Sequence, residues 1–365
     1  MLSEIHKTTL MLFYELIQIA LGLRNSLSYS PSEQEWETMF ETAQKQAVAG
    51  IVFSAIEKQS DNGVKPPIFL LYEWIGLSEL IKAQNKLVNK RCCEVTQLFA
   101  EAGFKTCILK GQGNALMYPI PETRTSGDID IWVDGRRGDI KDFVRGHYPD
   151  AEDSKLHIEF PIYDDVPVEV HYKPSYKDSP KYERRLQEYF RSHAEEQFSN
   201  VVNIGNADGQ ISVPTANFNA VQQMAHMMGH MFEEGIGIRH FIDYFYVLKK
   251  LKEEKCTEDF DKLFKYLGLL SFACGTMWIE HEVLGLDAEN LIVSEDEKIG
   301  RVILKEIEEG GNFGHYDQRY AARSNGYLMR GLTDTYRLIK LVRYFPNDAL
   351  WKIARKVENQ WWKLK

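Results

Sequence analysis

The pattern of apolar and polar positions changes sharply near the middle of the chain. A short apolar run at residues 106–109 predicts a buried strand, which ends at Lys110. Residues 112–118 then carry a brief helical pattern, and Pro119 and Pro121 end it because proline cannot continue a helix. The pattern therefore predicts a strand, a tight turn and a short helix in close succession.

A second strand is predicted where acidic and apolar residues alternate from 127 to 133. Successive side chains of a strand point to opposite faces, so Asp128 and Asp130 share one face. Two neighbouring carboxylates repel each other unless a cation lies between them. Mg²⁺ fits this position, since it usually binds one or two carboxylates together with substrate phosphates. A solvated strand end is the alternative interpretation of the two aspartates.

The same alternation recurs at residues 166–172 and places Glu169 and His171 on one face of a further strand. If this strand pairs beside the strand of Asp128 and Asp130, three carboxylates converge. Three carboxylates could hold two divalent ions for in-line phosphoryl or nucleotidyl transfer. The exposed face of a hairpin is the alternative interpretation of Glu169.

Helical spacing dominates on both sides of these strands. On the N-terminal side, helices are predicted over residues 3–24, 33–59 and 69–102, the last with a break. On the C-terminal side, a helix is predicted over 180–198, an irregular or hairpin-like stretch over 200–214, and further helices to the end of the chain.

Between the two helical parts, a helix is predicted over residues 138–147 and strands over 155–163 and 166–172. We therefore expect an α+β fold with three parts. These are an N-terminal helical region, 1–95, a core that carries the strands, 96–175, and a mostly helical C-terminal region, 176–365.

Composition narrows the class of protein. The chain has 365 residues, of which 44% are hydrophobic and 12% aromatic, enough to bury a core. Its net charge of −9 argues against broad nucleic-acid binding, which relies on basic surface. The five cysteines are odd in number and lack C-x-x-C spacing, which favours a reduced, cytoplasmic compartment. The apolar segment Leu10–Leu23 is too short to span a bilayer, so we expect no membrane association.

The motifs of the core resemble a known family. Five segments stand in the order found in the nucleotidyltransferase superfamily, which has the polymerase-beta-like fold: Leu109-Lys110-Gly111, Tyr118-Pro119, Arg124, Asp128-Ile129-Asp130 and Glu169-Val170-His171. The closer resemblance is to a large bacterial group of uncharacterised nucleotidyltransferases with helices on both sides of the core. It covers residues 96–175 closely and most of the chain loosely. It implies a small mixed-sheet core.

Two positions depart from the wider superfamily. The superfamily commonly has Gly-Gly or Gly-Ser at the turn, where this chain has Gly111-Gln112. Its third acid is commonly Asp, where this chain has Glu169. The first departure concerns the usual phosphate contact, whereas the second keeps a carboxylate at the same place.

The resemblance implies an enzyme that moves a nucleotidyl group from an NTP to an acceptor and releases pyrophosphate. Asp128, Asp130 and Glu169 would be the catalytic residues and the metal ligands, holding two Mg²⁺ ions, with Mn²⁺ as the alternative metal. The expected partners are an NTP and an acceptor that the sequence does not identify. A small molecule is favoured over RNA or protein, since the acidic net charge disfavours RNA.

Residues around the turn are candidates for binding the nucleotide. Lys110, Gly111, Arg124 and Ser126 would contact the phosphates, because glycine permits close backbone approach and cations neutralise the charge. His171 would orient Glu169 or contact the substrate. The alternatives are a simple strand-to-helix turn with an exposed lysine, a surface arginine and a surface histidine.

A later pair of helices supplies further candidates. His226 and His230 stand four residues apart and share one helix face. Their spacing is that of a zinc pair, but Met227 stands where a metalloprotease has its glutamate, so zinc is not expected. Arg239 and Asp243 have the spacing of an i,i+4 ion pair. The resembled group often has a His-rich helix and an Arg…Asp helix here, so these residues would line the acceptor site. A helix-packing cluster is the alternative.

Two other functions remain open from the sequence. One is a non-catalytic binding module of the same fold, which the unusual Gly111-Gln112 turn keeps in consideration. The other is a metal-dependent phosphohydrolase that uses the same carboxylates. Product analysis separates hydrolysis from transfer, since hydrolysis leaves no nucleotidylated acceptor.

Overall fold

A computed structural model describes residues 4–60, 63–205, 209–317 and 327–363 of the chain. The N-terminal part is helical, as predicted. Its helices are α1 (Glu4–Ala20), α2 (Glu33–Lys45), α3 (Ala49–Ser60) and α4 (Ile68–Glu101). Ser32 caps α2 through a capping box with Glu35, which satisfies two backbone N–H groups at the helix start.

The single helix predicted over residues 33–59 is wrong, because α2 and α3 are separate. Ala47 lies between them with a φ of 55°, a left-handed conformation that ends a helix. Gln46, at the end of α2, anchors this break to distant parts of the chain. Its Nε2 donates to the carbonyl of Ile307 at 2.7 Å, and its Oε1 accepts from the N–H of Ile238 at 2.9 Å. The break predicted within 69–102 is also wrong, since α4 is continuous.

Within the described residues, a mixed sheet of four strands forms the centre, as the resemblance implied. The strands are β1 (Thr106–Leu109), β2 (Ile129–Val133), β3 (His157–Glu159) and β4 (Val168–His171), in the spatial order β1-β2-β4-β3. The β2–β4 pair is parallel, and the β1–β2 and β3–β4 pairs are antiparallel. Pro167 directly precedes β4. The strand predicted over 155–163 is shorter because Pro161 cannot donate a ladder hydrogen bond.

A strained turn connects β1 to the one-turn helix α5 (Gly111–Ala115), which is shorter than predicted. Lys110 has a φ of 50° and Gly111 a φ of 30°. The buried side chain of Gln112 explains how this unusual turn is held: its Nε2 donates to the side-chain oxygens of Asn85, at 3.4 Å, and Asn89 on α4. Gln112 therefore fixes the turn to the N-terminal region and does not face the cavity described below.

The helix α6 (Arg137–His147) follows β2, as predicted. The helix predicted over 180–198 is two helices, α7 (Pro180–Ser192) and α8 (Ala194–Ser199). The hairpin-like stretch is confirmed as β5 (Val201–Asn203) paired with β6 (Gln210–Ser212). The remaining α-helices of the described residues are α9 (Ala216–Glu233), α10 (Ile238–Glu253), α11 (Phe260–Leu267), α12 (Leu270–Trp278), α13 (Glu297–Gly310), α14 (Tyr327–Val342) and α15 (Pro346–Lys363).

The two faces of the sheet differ in character. Ile129, Ile131 and Val133 lie on the face that packs on α4 and α6, in one buried apolar cluster. A second, larger cluster joins the N-terminal helices to α9 and α10. The polar face of the sheet opens toward α9 and α10. In the part of the chain that the structure covers, no helix is both long enough and apolar enough to cross a membrane. The proposed division at residues 95 and 175 stays a prediction.

Candidate active site

Strand register brings the predicted acids together. Asp130 on β2 lies directly beside Glu169 on the parallel strand β4, so both side chains share the polar face of the sheet. Asp128 stands at the start of β2, two residues before Asp130. One oxygen each of Asp128, Asp130 and Glu169 can be chosen so that all three atoms lie within 4.8 Å of one another. The alternation seen in the sequence therefore produces a convergent group of carboxylates.

A lysine and two histidines contact these acids. The Nζ of Lys110 lies 2.6 Å from Asp130 Oδ1, and the Nε2 of His171 lies 2.8 Å from the same oxygen. His171 Nε2 also lies 3.2 Å from Glu169 Oε2, and His157 Nδ1 lies 3.1 Å from that oxygen. Asp130 is buried, whereas Asp128 is exposed at the rim. The acids are thus held close together by one ammonium group and two imidazole rings.

The crowding of charges shifts the acid–base equilibria. The negative charge of Asp130 raises the pKa of Asp128 to about 6. Burial acts to raise the pKa of Asp130, but Lys110 and His171 outweigh burial and hold that pKa well below its usual range. Burial acts to lower the pKa of His171, but its contacts with Asp130 and Glu169 raise it overall. Of the two aspartates, Asp130 is therefore ionised across the ordinary pH range, and Asp128 loses its proton only at higher pH.

The donor set fits a hard divalent cation. Mg²⁺ prefers carboxylate oxygens, and three of them converge here from two adjacent strands. Asp130 raises the pKa of Asp128, so ionisation of both carboxylates carries a repulsion that Lys110 reduces without full compensation. A divalent ion would supply that compensation, so the residues present fit the metal that the sequence predicts.

A cavity of about 360 Å³ opens over this face of the sheet. It is bounded by the turn at Lys110, by β2 and β4, and by α9 and α10. Eleven of the twelve predicted site residues line it: Lys110, Gly111, Arg124, Asp128, Asp130, Glu169, His171, His226, His230, Arg239 and Asp243. Ser126 does not, although it is close in sequence to Asp128. The two sets of candidates, from the core and from the later helices, therefore share one cavity.

Arg124 makes a buried ion pair instead of being free to bind a ligand. Its Nε and Nη2 each lie 2.8 Å from the carboxylate of Asp243, in a bidentate arrangement. Tyr118 donates to the same carboxylate at 2.6 Å and Asn114 at 3.2 Å. This network joins the loop before β2 to α10. The expected ion pair between Asp243 and Arg239 does not form, because Arg124 takes its place.

Arg239 is consequently the arginine with spare donors at the cavity. It donates through Nη1 to the carbonyl of Thr125 at 3.4 Å, and its guanidinium lies 5.5 Å from the ring centre of Phe313. Its Nε is buried without a hydrogen-bond partner among the described residues. Burial lowers the pKa of Arg239, as does the neighbouring Arg124. Arg239 is thus a second cation at the cavity of the acids, and its guanidinium has an unused hydrogen-bond donor.

The histidines of α9 meet a third histidine from α10. His226 Nε2 lies 2.9 Å from His230 Nε2. The rings of His230 and His240 are 5.5 Å apart. Burial holds the pKa of His226 and of His240 well below the ordinary value and lowers that of His230 to about 4. The three rings are therefore neutral at neutral pH.

Several cavity residues were not among the predicted set. His157 contacts Glu169, as the alternation of His157 and Glu159 along the neighbouring strand allows one to expect. His240, Gln223 and Tyr176 also line the cavity. They reach it through the packing of α9 and α10 on the sheet, which local sequence pattern does not show.

The fold and the site together define a class of protein. A small mixed sheet with adjacent acid-bearing strands, a glycine turn before them and helices on both sides is the arrangement of a nucleotidyltransferase. Residues 32–285 match the model of a family described as uncharacterised nucleotidyltransferase. This match covers well over half of the chain, and the chain belongs to that family. Searches against curated proteins and against solved structures found no match.

Proposed function

We propose that the protein is a Mg²⁺-dependent nucleotidyltransferase that takes an NTP as donor and releases pyrophosphate. The observation that carries the proposal is the convergence of Asp128, Asp130 and Glu169 within one cavity. Family membership supports nucleotidyl transfer as the general class of function. A bound Mg²⁺, or Mn²⁺ in its place, would neutralise the phosphates and orient the donor.

The chain's own residues would bind and orient the reactants. Asp128, Asp130 and Glu169 would hold the metal, with two ions as the expected number. Lys110 and Arg239 would contact the phosphate oxygens, since both line the cavity and Arg239 retains unused donors. Arg124 would act indirectly, because its pair with Asp243 fixes the loop that leads into β2.

Proton transfer would fall to Glu169. The acceptor hydroxyl attacks the α-phosphorus, pyrophosphate leaves, and the hydroxyl proton passes to the carboxylate. His157 and His171 contact this carboxylate from two sides and would orient it. Most of the rate enhancement would come from positioning and charge neutralisation, as is usual for phosphoryl-group chemistry.

A small molecule is the favoured acceptor. The cavity of about 360 Å³ lies in the size range of small-molecule sites. The net charge of −9 disfavours a nucleic-acid acceptor. The far wall of the cavity, formed by His226 and His230, would then contact the acceptor.

The test is incubation with α-labelled NTPs, Mg²⁺ and a small-molecule extract, followed by mass identification of the labelled product. We expect label on an acceptor, and Asp128→Asn should abolish it. Asp134→Asn is the matched control, because Asp134 is an exposed acid at the other end of β2 and does not line the cavity. Free nucleotide as the only product would indicate a phosphohydrolase. No Mg²⁺-dependent binding of any NTP would indicate a non-catalytic binding module.

A further inference from the structure

The cavity contains a second group of convergent ligands on the wall opposite the sheet. His226 and His230 come from α9 and His240 from α10. One ring nitrogen of each can be chosen so that all three atoms lie within 4.8 Å of one another. We propose that these three histidines form a second metal site, which binds one divalent ion of the zinc class through imidazole nitrogens.

The backbone fixes the relative position of the three rings. Two of them stand one helical turn apart on α9, and a tight turn at Gly235–Gly237 brings in the third. A Cβ on Gly235 would lie 2.8 Å from the backbone nitrogen of Gly314, so this turn is packed directly against another loop. Phe313 of that loop lies 4.9 Å from the ring of His230. The cluster is therefore held by tertiary packing and not only by helix spacing.

Hydrogen bonding leaves the required lone pair on His240. Its Nδ1 lies 3.2 Å from the carbonyl oxygen of Gly237, and a carbonyl can only accept, so this nitrogen carries the proton. The Nε2 of the same ring is then free to bind a metal. Metal-binding histidines usually donate their other N–H to a carbonyl or a carboxylate in this way. For His230, Nδ1 is buried without a hydrogen-bond partner among the described residues, and the carboxylate of Glu234 lies 3.9 Å from it.

The distances suit a zinc-class ion after small side-chain rotations. Zinc–nitrogen bonds of about 2.0–2.1 Å in a tetrahedral site separate neighbouring ligand nitrogens by about 3.3 Å. The pair of His226 and His230, at 2.9 Å, is slightly closer than this. One ring nitrogen of His240 lies within 4.8 Å of the chosen nitrogens of the other two histidines.

The ligand types separate this site from the carboxylate group. Imidazole nitrogens suit Zn²⁺, Ni²⁺, Cu²⁺ and Fe²⁺, whereas Mg²⁺ prefers oxygen. Three histidines with an open fourth position occur in catalytic zinc sites, where water or substrate completes the coordination. Since all three histidines line the cavity, that fourth ligand would be water or a polar atom of a bound molecule.

The test is titration of chelator-treated protein with Co²⁺ and Zn²⁺ in the presence of excess Mg²⁺, which occupies the carboxylate site. We expect one equivalent of Co²⁺ to bind with visible absorption of a low-coordinate site, and Zn²⁺ to displace it. His230→Gln and His240→Gln should each weaken binding at least about 100-fold, since changes outside the ligand shell already cost about 10–100-fold. His147→Gln, an exposed histidine on α6, and Asp128→Asn should bind as the wild type does.

Wild-type protein also gives a test that needs no variant to fold. X-ray absorption at the zinc edge should show nitrogen ligands with imidazole scattering. Oxygen-only coordination, no uptake by the wild type, or loss of uptake in Asp128→Asn but not in the histidine variants would overturn the proposal. A hydrogen-bonded histidine cluster without metal is the interpretation that would then stand.

Discussion

The ammonium group of Lys110 lies 2.6 Å from a carboxylate oxygen of Asp130, and both side chains are largely buried at the cavity. In the metal-free protein, this lysine supplies positive charge at the acid that the proposed metal would also contact. Lysine is a flexible point charge and can turn from one anion to another. We infer that it would leave Asp130 for the nucleotide phosphates when metal and NTP bind together.

Replacement of Lys110 should separate nucleotide binding from metal binding. We expect Lys110→Met to lower kcat/KM for the NTP about 100- to 1000-fold, as the loss of one positioned electrostatic group commonly does. Binding of Mg²⁺ without nucleotide should not weaken, because a competing cation has been removed from Asp130. Steady-state kinetics measures kcat/KM for the NTP, and metal titration measures the affinity for Mg²⁺.

Lys105→Met is the matched control for this experiment. Lys105 precedes β1, is exposed, and pairs with Glu195 away from the cavity. Lys105→Met should leave kcat/KM for the NTP and the affinity for Mg²⁺ unchanged. Weaker Mg²⁺ binding in Lys110→Met would contradict the competition that we infer.

The pair of Arg124 and Asp243 should control stability. Asp243→Ala leaves the buried guanidinium without its bidentate partner, and we expect the free energy of unfolding to fall by about 3–5 kcal/mol. A double replacement, Arg124→Met with Asp243→Leu, should recover part of that loss because the guanidinium of Arg124 is no longer buried without its partner. Urea unfolding monitored by circular dichroism measures both.

An exposed ion pair provides the comparison. Arg136 and Asp139 also form a two-point contact, on the surface at the start of α6. Asp139→Ala should leave the free energy of unfolding nearly unchanged, since exposed pairs contribute little. A double variant at Arg124 and Asp243 that is no more stable than Asp243→Ala would show that the unpaired guanidinium of Arg124 is not the cause of the loss.

The carboxylate site was accessible to sequence reasoning because it depends on a local rule. Alternation along two strands determines which side chains share a face, and the parallel pairing of β2 with β4 brings Asp130 beside Glu169. The turn at Gly111 and its position before the acids were equally local features. The α+β fold followed from the same change of period between helical and strand-like stretches.

Ion-pair and hydrogen-bond partners that depend on tertiary packing could not be predicted from the sequence. Arg124 and Asp243 are 119 residues apart, and the i,i+4 spacing of Arg239 and Asp243 suggested the wrong pair. The break between α2 and α3 likewise depends on Gln46, whose partners lie far along the chain. Buried polar groups need hydrogen-bond or ion-pair partners, and the fold determines which groups are near enough to pair. The local sequence pattern does not show these long-range partners.

Arg239 should affect substrate binding without affecting stability. No described carboxylate pairs with it, so Arg239→Gln leaves no buried acid unsatisfied. Hydrogen bonds to charged groups contribute about 1.5–3 kcal/mol, so we expect KM for the NTP to rise about 10- to 100-fold. Arg239→Lys should recover only part of this, because the planar fork is lost. Arg301→Gln, which removes an exposed arginine over Trp278, is the control. An unchanged KM with a large loss of stability would indicate a structural role.

Asp128 should give the metal-free protein a distinctive pH dependence. The charge of Asp130 raises the pKa of Asp128 in the folded chain from 3.8 to about 6. Between these values the folded chain holds a proton that the unfolded chain has released. Raising the pH therefore favours the unfolded chain, and this contribution to stability, present below pH 3.8, is lost as the pH rises through about 6.

Chelator-treated wild type should accordingly lose more stability between pH 4 and pH 6.5 than Asp128→Asn, whose amide does not titrate. Denaturant unfolding across this range measures the difference between the two proteins, so contributions from other carboxyl groups cancel. Excess Mg²⁺ should reduce the difference, because a bound cation favours the ionised carboxylate and lowers its pKa. Parallel stability curves for the two proteins without metal would show that Asp130 does not act on Asp128 in this way. A Mg²⁺-independent difference would show that the ion binds elsewhere.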